Sequence, residues 1–241
     1  SRAGRADPTF GGDAMTSPMR EVHRHRRRDG ALVAIGASAG GGSALRRIVA
    51  ELPGGFTLPI VVVQHLAPGG CEALVRSLGS VTRLPVQEAR CGQRVERGLY
   101  VAPEDYHLLI ERNHELSLSV DERVVYCRPS IDVLFESATR SCGPGLIAVL
   151  LTGGNSDGAN GLAFAQANGA TTIVQDPAEA ECPVMPRAAL DHPRHRRIRG
   201  HRVGPLSEIV RIIVDSARRT ERTRGGACSL SDPTSLETTE C

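Results

Sequence analysis

Apolar runs that hand over to helical patterns within a few residues constrain this chain more than any other feature. Four of them, residues 31–37, 59–64, 146–152 and 171–175, lack the polar alternation of a half-wet strand, so each is expected to be buried on both faces. Helical periodicity follows the first three, at residues 43–52, 71–78 and 158–167, and another helical pattern at 130–141 precedes the third. Strand then helix, repeated, requires crossover connections and hence parallel pairing. The expected fold is α/β: a doubly wound, mostly parallel sheet with helices on both faces.

Residues 84–120 depart from this pattern. Short alternating segments at 99–102, 106–111 and 115–120, separated by Pro103-Glu104-Asp105 and Arg112-Asn113-His114, are expected to form an antiparallel hairpin insertion. A last helix over 206–217 places Leu206, Ile209, Val210, Ile213 and Val214 on one stripe. Residues 1–29, with the run Arg24-His25-Arg26-Arg27-Arg28 and no apolar periodicity, are expected to be a disordered basic arm, and residues 219–241 a disordered tail. One domain, 30–218, lies between them.

All 29 basic side chains are arginine, which removes Walker-type phosphate loops and Schiff-base chemistry, both of which need a lysine. A formal charge of +2 and 3% aromatic residues argue against a nucleic-acid partner. Seven cysteines, none at C-x-x-C spacing and one necessarily unpaired, suit reduced thiols better than a disulfide framework. No secretory signal and no membrane-spanning run is visible, so the expected location is the cytoplasm, without membrane insertion.

Chemistry concentrates at the strand ends. Gly36-Ala37-Ser38-Ala39-Gly40-Gly41-Gly42 fits a nucleophile elbow that pushes the Ser38 hydroxyl above the sheet. It also fits a pyrophosphate-cradling turn or a plain glycine turn, although a dinucleotide site wants glycine at Ser38 and an acid where the second strand ends in Gln64-His65. His65 follows the neighbouring strand, and parallel strands open their C-terminal ends onto one edge. The loop after 146–152 contributes Asp157, its only acid. Asp157 has an ordinary reading as the N-cap of the helix after it, but with Ser38 and His65 on the same edge a Ser-His-Asp relay is the stronger one.

These residues resemble the chemotaxis-receptor methylesterases, the CheB family. The resemblance runs over residues 31–189 through Ala34-Ile-Gly-Ala-Ser-Ala-Gly-Gly, Val63-Gln64-His65, Tyr100-Val-Ala-Pro, Arg128-Pro-Ser-Ile-Asp-Val-Leu-Phe, Leu151-Thr-Gly, Asp157-Gly-Ala and Met185-Pro-Arg. It implies hydrolysis of glutamate methyl esters on chemosensory receptors, and in some members glutamine deamidation, with no metal or cofactor. Nucleophile, base and orienting acid fall on Ser38, His65 and Asp157, and an oxyanion-binding amide falls on Gly154. Ala39, at the helix start, offers a second amide. Two departures stand out: Gly154 occupies a position where the family usually has methionine, and the arm before Gly30 is too short for the receiver domain that typical members carry, so a stand-alone form is expected.

Three further groupings are weaker. His192, His195 and His201, with Cys182 upstream, lack metal-ligand spacing. The segment 194–202 reads as a solvated basic face that could dock an acidic helical partner, a methylated receptor being the expected one, and Asp132 and Arg128 read as parts of a helix start. Rival functions are a non-catalytic signalling partner that keeps the fold, a hydrolase of another carboxyl ester, and a nucleotide binder.

Overall fold

The computed structural model describes residues 30–193 and 200–225, with side chains of the last helix described to Arg219. The expected arm, most of the basic segment and the end of the tail lie outside the described residues. The described residues form nine strands and six α-helices in the order β1 Leu32–Ala37, α1 Gly41–Glu51, β2 Ile60–Gln64, α2 Gly70–Gly79, β3 Val86–Glu88, β4 Leu99–Val101, β5 His107–Ile110, β6 Leu116–Ser119, α3 Ile131–Cys142, β7 Leu146–Leu150, α4 Ala159–Ala167, β8 Thr171–Gln175, α5 Val184–Leu190, β9 Arg202–Gly204 and α6 Leu206–Gly225.

Seven strands form one parallel sheet in the order β3-β4-β2-β1-β7-β8-β9, and β5 and β6 pair separately as an antiparallel hairpin. The chain winds outward from β1 through β2, returns to β7 on its other side and winds outward again. The loops after β1 and β7 therefore flank a topological switch point, where open α/β sheets hold their sites.

The two faces bury different side chains of the same strands. Val33, Ile35 and Ala37 point toward Leu45, Ile48, Leu78, Ile209 and Ile213 of α1, α2 and α6. Leu32 and Ala34 point toward Leu134, Phe135 and Leu162 of α3 and α4 and toward Leu108 and Leu116 of the hairpin. Burying each large apolar side chain contributes about 1.5–3 kcal/mol, so the strands are held by two cores at once.

Three expectations need correction. Residues 99–102 do not join the insertion: Leu99–Val101 lies between β2 and β3 in the parallel sheet, buried on both faces, and its three residues are too few for the pattern to separate it from a hairpin strand. The last helix runs on past residue 217 to Gly225, because its arginine-rich end keeps helical propensity after the apolar stripe stops. His201 is no part of a solvated face; it is 7% exposed and pairs through Nδ1 with Thr172 Oγ1 at 2.8 Å. No helix of the described residues is long and apolar enough to cross a membrane.

Helix α4 crosses α3 so closely that a Cβ on Gly161 would stand 2.9 Å from both the Asp132 Cα and its carbonyl oxygen. Gly161→Ala gains about 1 kcal/mol of helix propensity but meets backbone that cannot rotate aside, at a cost of about 1–3 kcal/mol. A net loss of roughly 1 kcal/mol is expected in urea unfolding.

Candidate active site

The chain leaves β1 through Ser38 and Ala39 and turns into α1 at Gly40, whose φ is 77°. A Cβ at Gly40 would lie 2.7 Å from the Glu181 Cβ, so both conformation and space require glycine. The Ser38 N–H donates to Thr152 O at 2.9 Å and the Thr152 hydroxyl donates to Ala39 O at 2.8 Å, which fastens this turn to the loop after β7. On the other side the Gln64 amide donates to Ser38 O at 2.7 Å and to His65 O at 3.1 Å. The His65 N–H donates to Ala37 O, and Ala37 pairs with Gln64, so Ser38 and His65 occupy the next rung on adjacent strands.

Asp157 is fully buried and meets His65 Nε2 through Oδ2 at 2.9 Å. The same oxygen accepts the Ile131 N–H at 2.7 Å, while Oδ1 accepts the Ser130 hydroxyl at 2.7 Å and the Asp132 N–H at 3.1 Å. The carboxylate thus caps the N-terminus of α3 from across the fold. It does not cap the helix after it: the N-cap of α4 is Gly158, φ 93°, with no side-chain cap. Four donors and a helix N-terminus converge on one carboxylate, a setting that suits an anion.

Sequence reasoning missed Cys127. Its Sγ lies 3.7 Å from His65 Nδ1, accepts from Asn155 Nδ2 at 3.1 Å and donates to Val125 O at 3.3 Å, while Asn155 Oδ1 accepts the Asp157 N–H at 3.1 Å. Cys127 is 62 residues from His65 in sequence, and no spacing rule joins them. No hydrogen bond joins the Ser38 hydroxyl to His65 among the described residues: Nε2 is engaged by Asp157, and Nδ1 faces Cys127 Sγ. The amides of Ala39 and Gly154 donate to no protein acceptor among the described residues, and both residues are exposed. A Cβ on Gly154 would touch only Cys182 Sγ, at 3.8 Å, so the fold leaves room for a side chain at this position.

His65, Cys127 and Asp157 form the one group of three potential metal ligands among the described residues. The Asp157 oxygens, however, already accept four hydrogen bonds. The other metal candidates are not brought together: His192 Nε2 contacts Asn160, His201 contacts Thr172, and His195 lies outside the described residues. Asp132 lies in the first turn of α3, and Arg128 lies ahead of its N-cap, Ser130. Asp132 accepts the Gly161 N–H at 2.6 Å, and Arg128 bonds Asp105 Oδ1 and the carbonyls of Val120 and Asp121.

Burial lowers the proton affinity of His65, but Asp157 on one nitrogen and Cys127 beside the other more than offset it and raise its pKa from 6.5 to about 9. The resting imidazole is therefore protonated at neutral pH and must lose that proton before it can act as a base. Hydrolytic kcat/KM is expected to climb from pH 7 through about 9, where it is half-maximal, and to level off about one unit above, a limb visible in a rate profile. Stability moves the other way: the pKa is higher folded than unfolded, so the pair's contribution is complete below about 6.5 and lost as pH rises through about 9.

Beside Cys127 the backbone is strained. Val124 and Cys127 exchange backbone hydrogen bonds across a two-residue hairpin turn whose central residues, Val125 and Tyr126, stand at φ 50° and 63°. That geometry is the type I′ turn, which strongly favours Asn-Gly; a β-branched residue there is an outlier. Each such residue costs of order 1–3 kcal/mol.

Residues 33–213 match the family model described as CheB methylesterase. A relative from Leptospira interrogans is 45% identical over 160 residues, 66% of this chain and 83% of that one. The protein-glutamate methylesterase/protein-glutamine glutaminase 2 of Methanospirillum hungatei is 39% identical over 170 residues, 70% of this chain and 47% of that one, so the chain spans about half of that relative's length. The crystal structure of the Thermotoga maritima CheB methylesterase catalytic domain superposes with a TM-score of 0.72 at 31% identity, covering 77% of this chain and 98% of that one.

Proposed function

The chain belongs to the CheB methylesterase family, and we propose that it hydrolyses glutamate methyl esters on a chemosensory receptor, with Ser38, His65 and Asp157 as the relay. The observation that carries this reading is the 2.9 Å contact between His65 and a fully buried Asp157, one strand away from a serine on a glycine turn. Ser38 attacks the ester carbonyl as His65 Nδ1 takes its proton. Asp157, on Nε2, fixes the ring and stabilises the imidazolium. The amides of Gly154 and Ala39 hold the oxyanion. Collapse returns the proton to departing methanol, and water repeats the cycle on the glutamyl-serine ester, leaving a carboxylate. The same steps on glutamine release ammonia. None of them needs a metal or cofactor.

A second reading rests on Cys127. Its thiol contacts the same Nδ1 that Ser38 must use, and Asn155 donates to its sulfur, so Cys127-His65-Asp157 is itself a nucleophile, base and orienting acid. The thiol donates to Val125 O in the strained turn, which favours Ser38 as the attacking group.

Mass spectrometry of a methylated receptor fragment incubated with the protein tests the activity. Loss of one methylene mass per modified glutamate is expected. An unchanged fragment that still binds identifies a non-catalytic partner, and turnover confined to small esters identifies a different carboxyl-ester hydrolase.

A further inference from the structure

Among the described residues, five large apolar side chains are exposed: Tyr106, Val120, Tyr126, Val184 and Val203. Three of them, Tyr106, Val120 and Tyr126, belong to one trussed segment. Arg123 and Arg128, on either side of the Val125-Tyr126 turn, both donate to Asp105 Oδ1, at 2.7 and 2.9 Å, and Tyr106 follows Asp105 directly. Arg128 also donates to Val120 O at 2.7 Å, and His107 ties the Glu122 carbonyl to the Ser130 amide. The turn is held from several sides, and its tip presents Tyr126 with 93% of its surface in water.

We infer that Tyr126 is a docking anchor for the receptor segment that carries the methylated glutamate. The inference rests on the function proposed above. A fully exposed aromatic on a strained, braced turn stabilises nothing in the folded chain, whereas a rigid tyrosine loses little side-chain entropy on binding and is a frequent hot spot. Its place identifies the occupant. Tyr126 is one residue from Cys127, whose sulfur touches the catalytic imidazole, so a segment delivering an ester to Ser38 passes the turn. Val184, also exposed, opens α5 next to Met185, whose N–H donates to Gly153 O at 2.9 Å in the loop that holds Gly154.

The test measures kcat/KM on a methylated receptor fragment and on a small uncharged methyl ester. Tyr126→Ala is expected to lower the first by about 10–30-fold and leave the second unchanged, with Tyr126→Phe retaining most of the wild-type value. The double substitution Val125→Asn, Tyr126→Gly supplies the residues the turn prefers, so it is expected to raise the melting temperature while losing receptor activity as Tyr126→Ala does. Unchanged receptor kcat/KM in Tyr126→Ala, or equal losses on both substrates, overturns the anchor. Wild-type protein inert on the fragment fails at the earlier step, overturning the proposed function and the anchor with it.

Discussion

Asp157→Asn is expected to lower turnover by about 10⁴-fold, because an amide can hold the imidazole in the wrong tautomer. It is also expected to lower stability, and this second effect comes from the arrangement around the carboxylate. Oδ2 receives the Ile131 N–H and His65, and Oδ1 receives the Ser130 hydroxyl and the Asp132 N–H. An asparagine NH₂ placed at either position faces a backbone N–H that cannot turn into an acceptor. One buried donor is left unpaired whichever way the amide flips, a loss of roughly 1–3 kcal/mol. If Asp157 only capped the following helix, asparagine would replace it almost silently. Activity and thermal melting measured on the same preparation check both parts; a stable, fully active variant removes Asp157 from the mechanism.

The other large effect concerns the reacting pair. Ser38→Ala and His65→Ala are each expected to abolish nearly all turnover, by about 10⁴–10⁶-fold, and the double variant to be scarcely worse than either. Their stabilities should differ. Among the described residues the Ser38 hydroxyl makes no hydrogen bond, so its removal is expected to change stability by less than about 0.5 kcal/mol. His65→Ala takes a partner from the buried Asp157 and should erase the loss of stability expected as pH rises through about 9. Multiplying losses in the double variant would mean that the two residues act independently.

The parts of this site that could be read from sequence share one property: each lies at the end of a strand. Strands β1, β2 and β7 are apolar on both faces, so their ends are easily located, and parallel pairing puts Ser38, His65 and Asp157 on one edge whatever their separation along the chain. Cys127 and Ser130 come from a loop that reaches the edge from the other side of the insertion. Their approach depends on how the β5–β6 hairpin packs on α3, which no periodicity encodes. That Asp157 caps α3 and not the helix after it has no local signal, because the helix it caps starts 26 residues earlier in the chain than the acid itself. Strand β4 is hard to place from sequence for a related reason: Leu99–Val101 is too short to show whether its partners are parallel. The strain at Val125-Tyr126 is invisible without coordinates, since neither residue signals a turn.

Methanol release from a methylated receptor fragment at pH 9, compared among wild type, Ser38→Ala and Cys127→Ala, tests the central claim most directly. At that pH about half of His65 is expected to be free to accept a proton. The relay assigned here predicts that Ser38→Ala releases no methanol above background, that Cys127→Ala keeps most of the wild-type rate, and that both variants melt close to wild type. A Ser38→Ala protein that still releases methanol, with Cys127→Ala inactive, contradicts it and moves the nucleophile to the thiol.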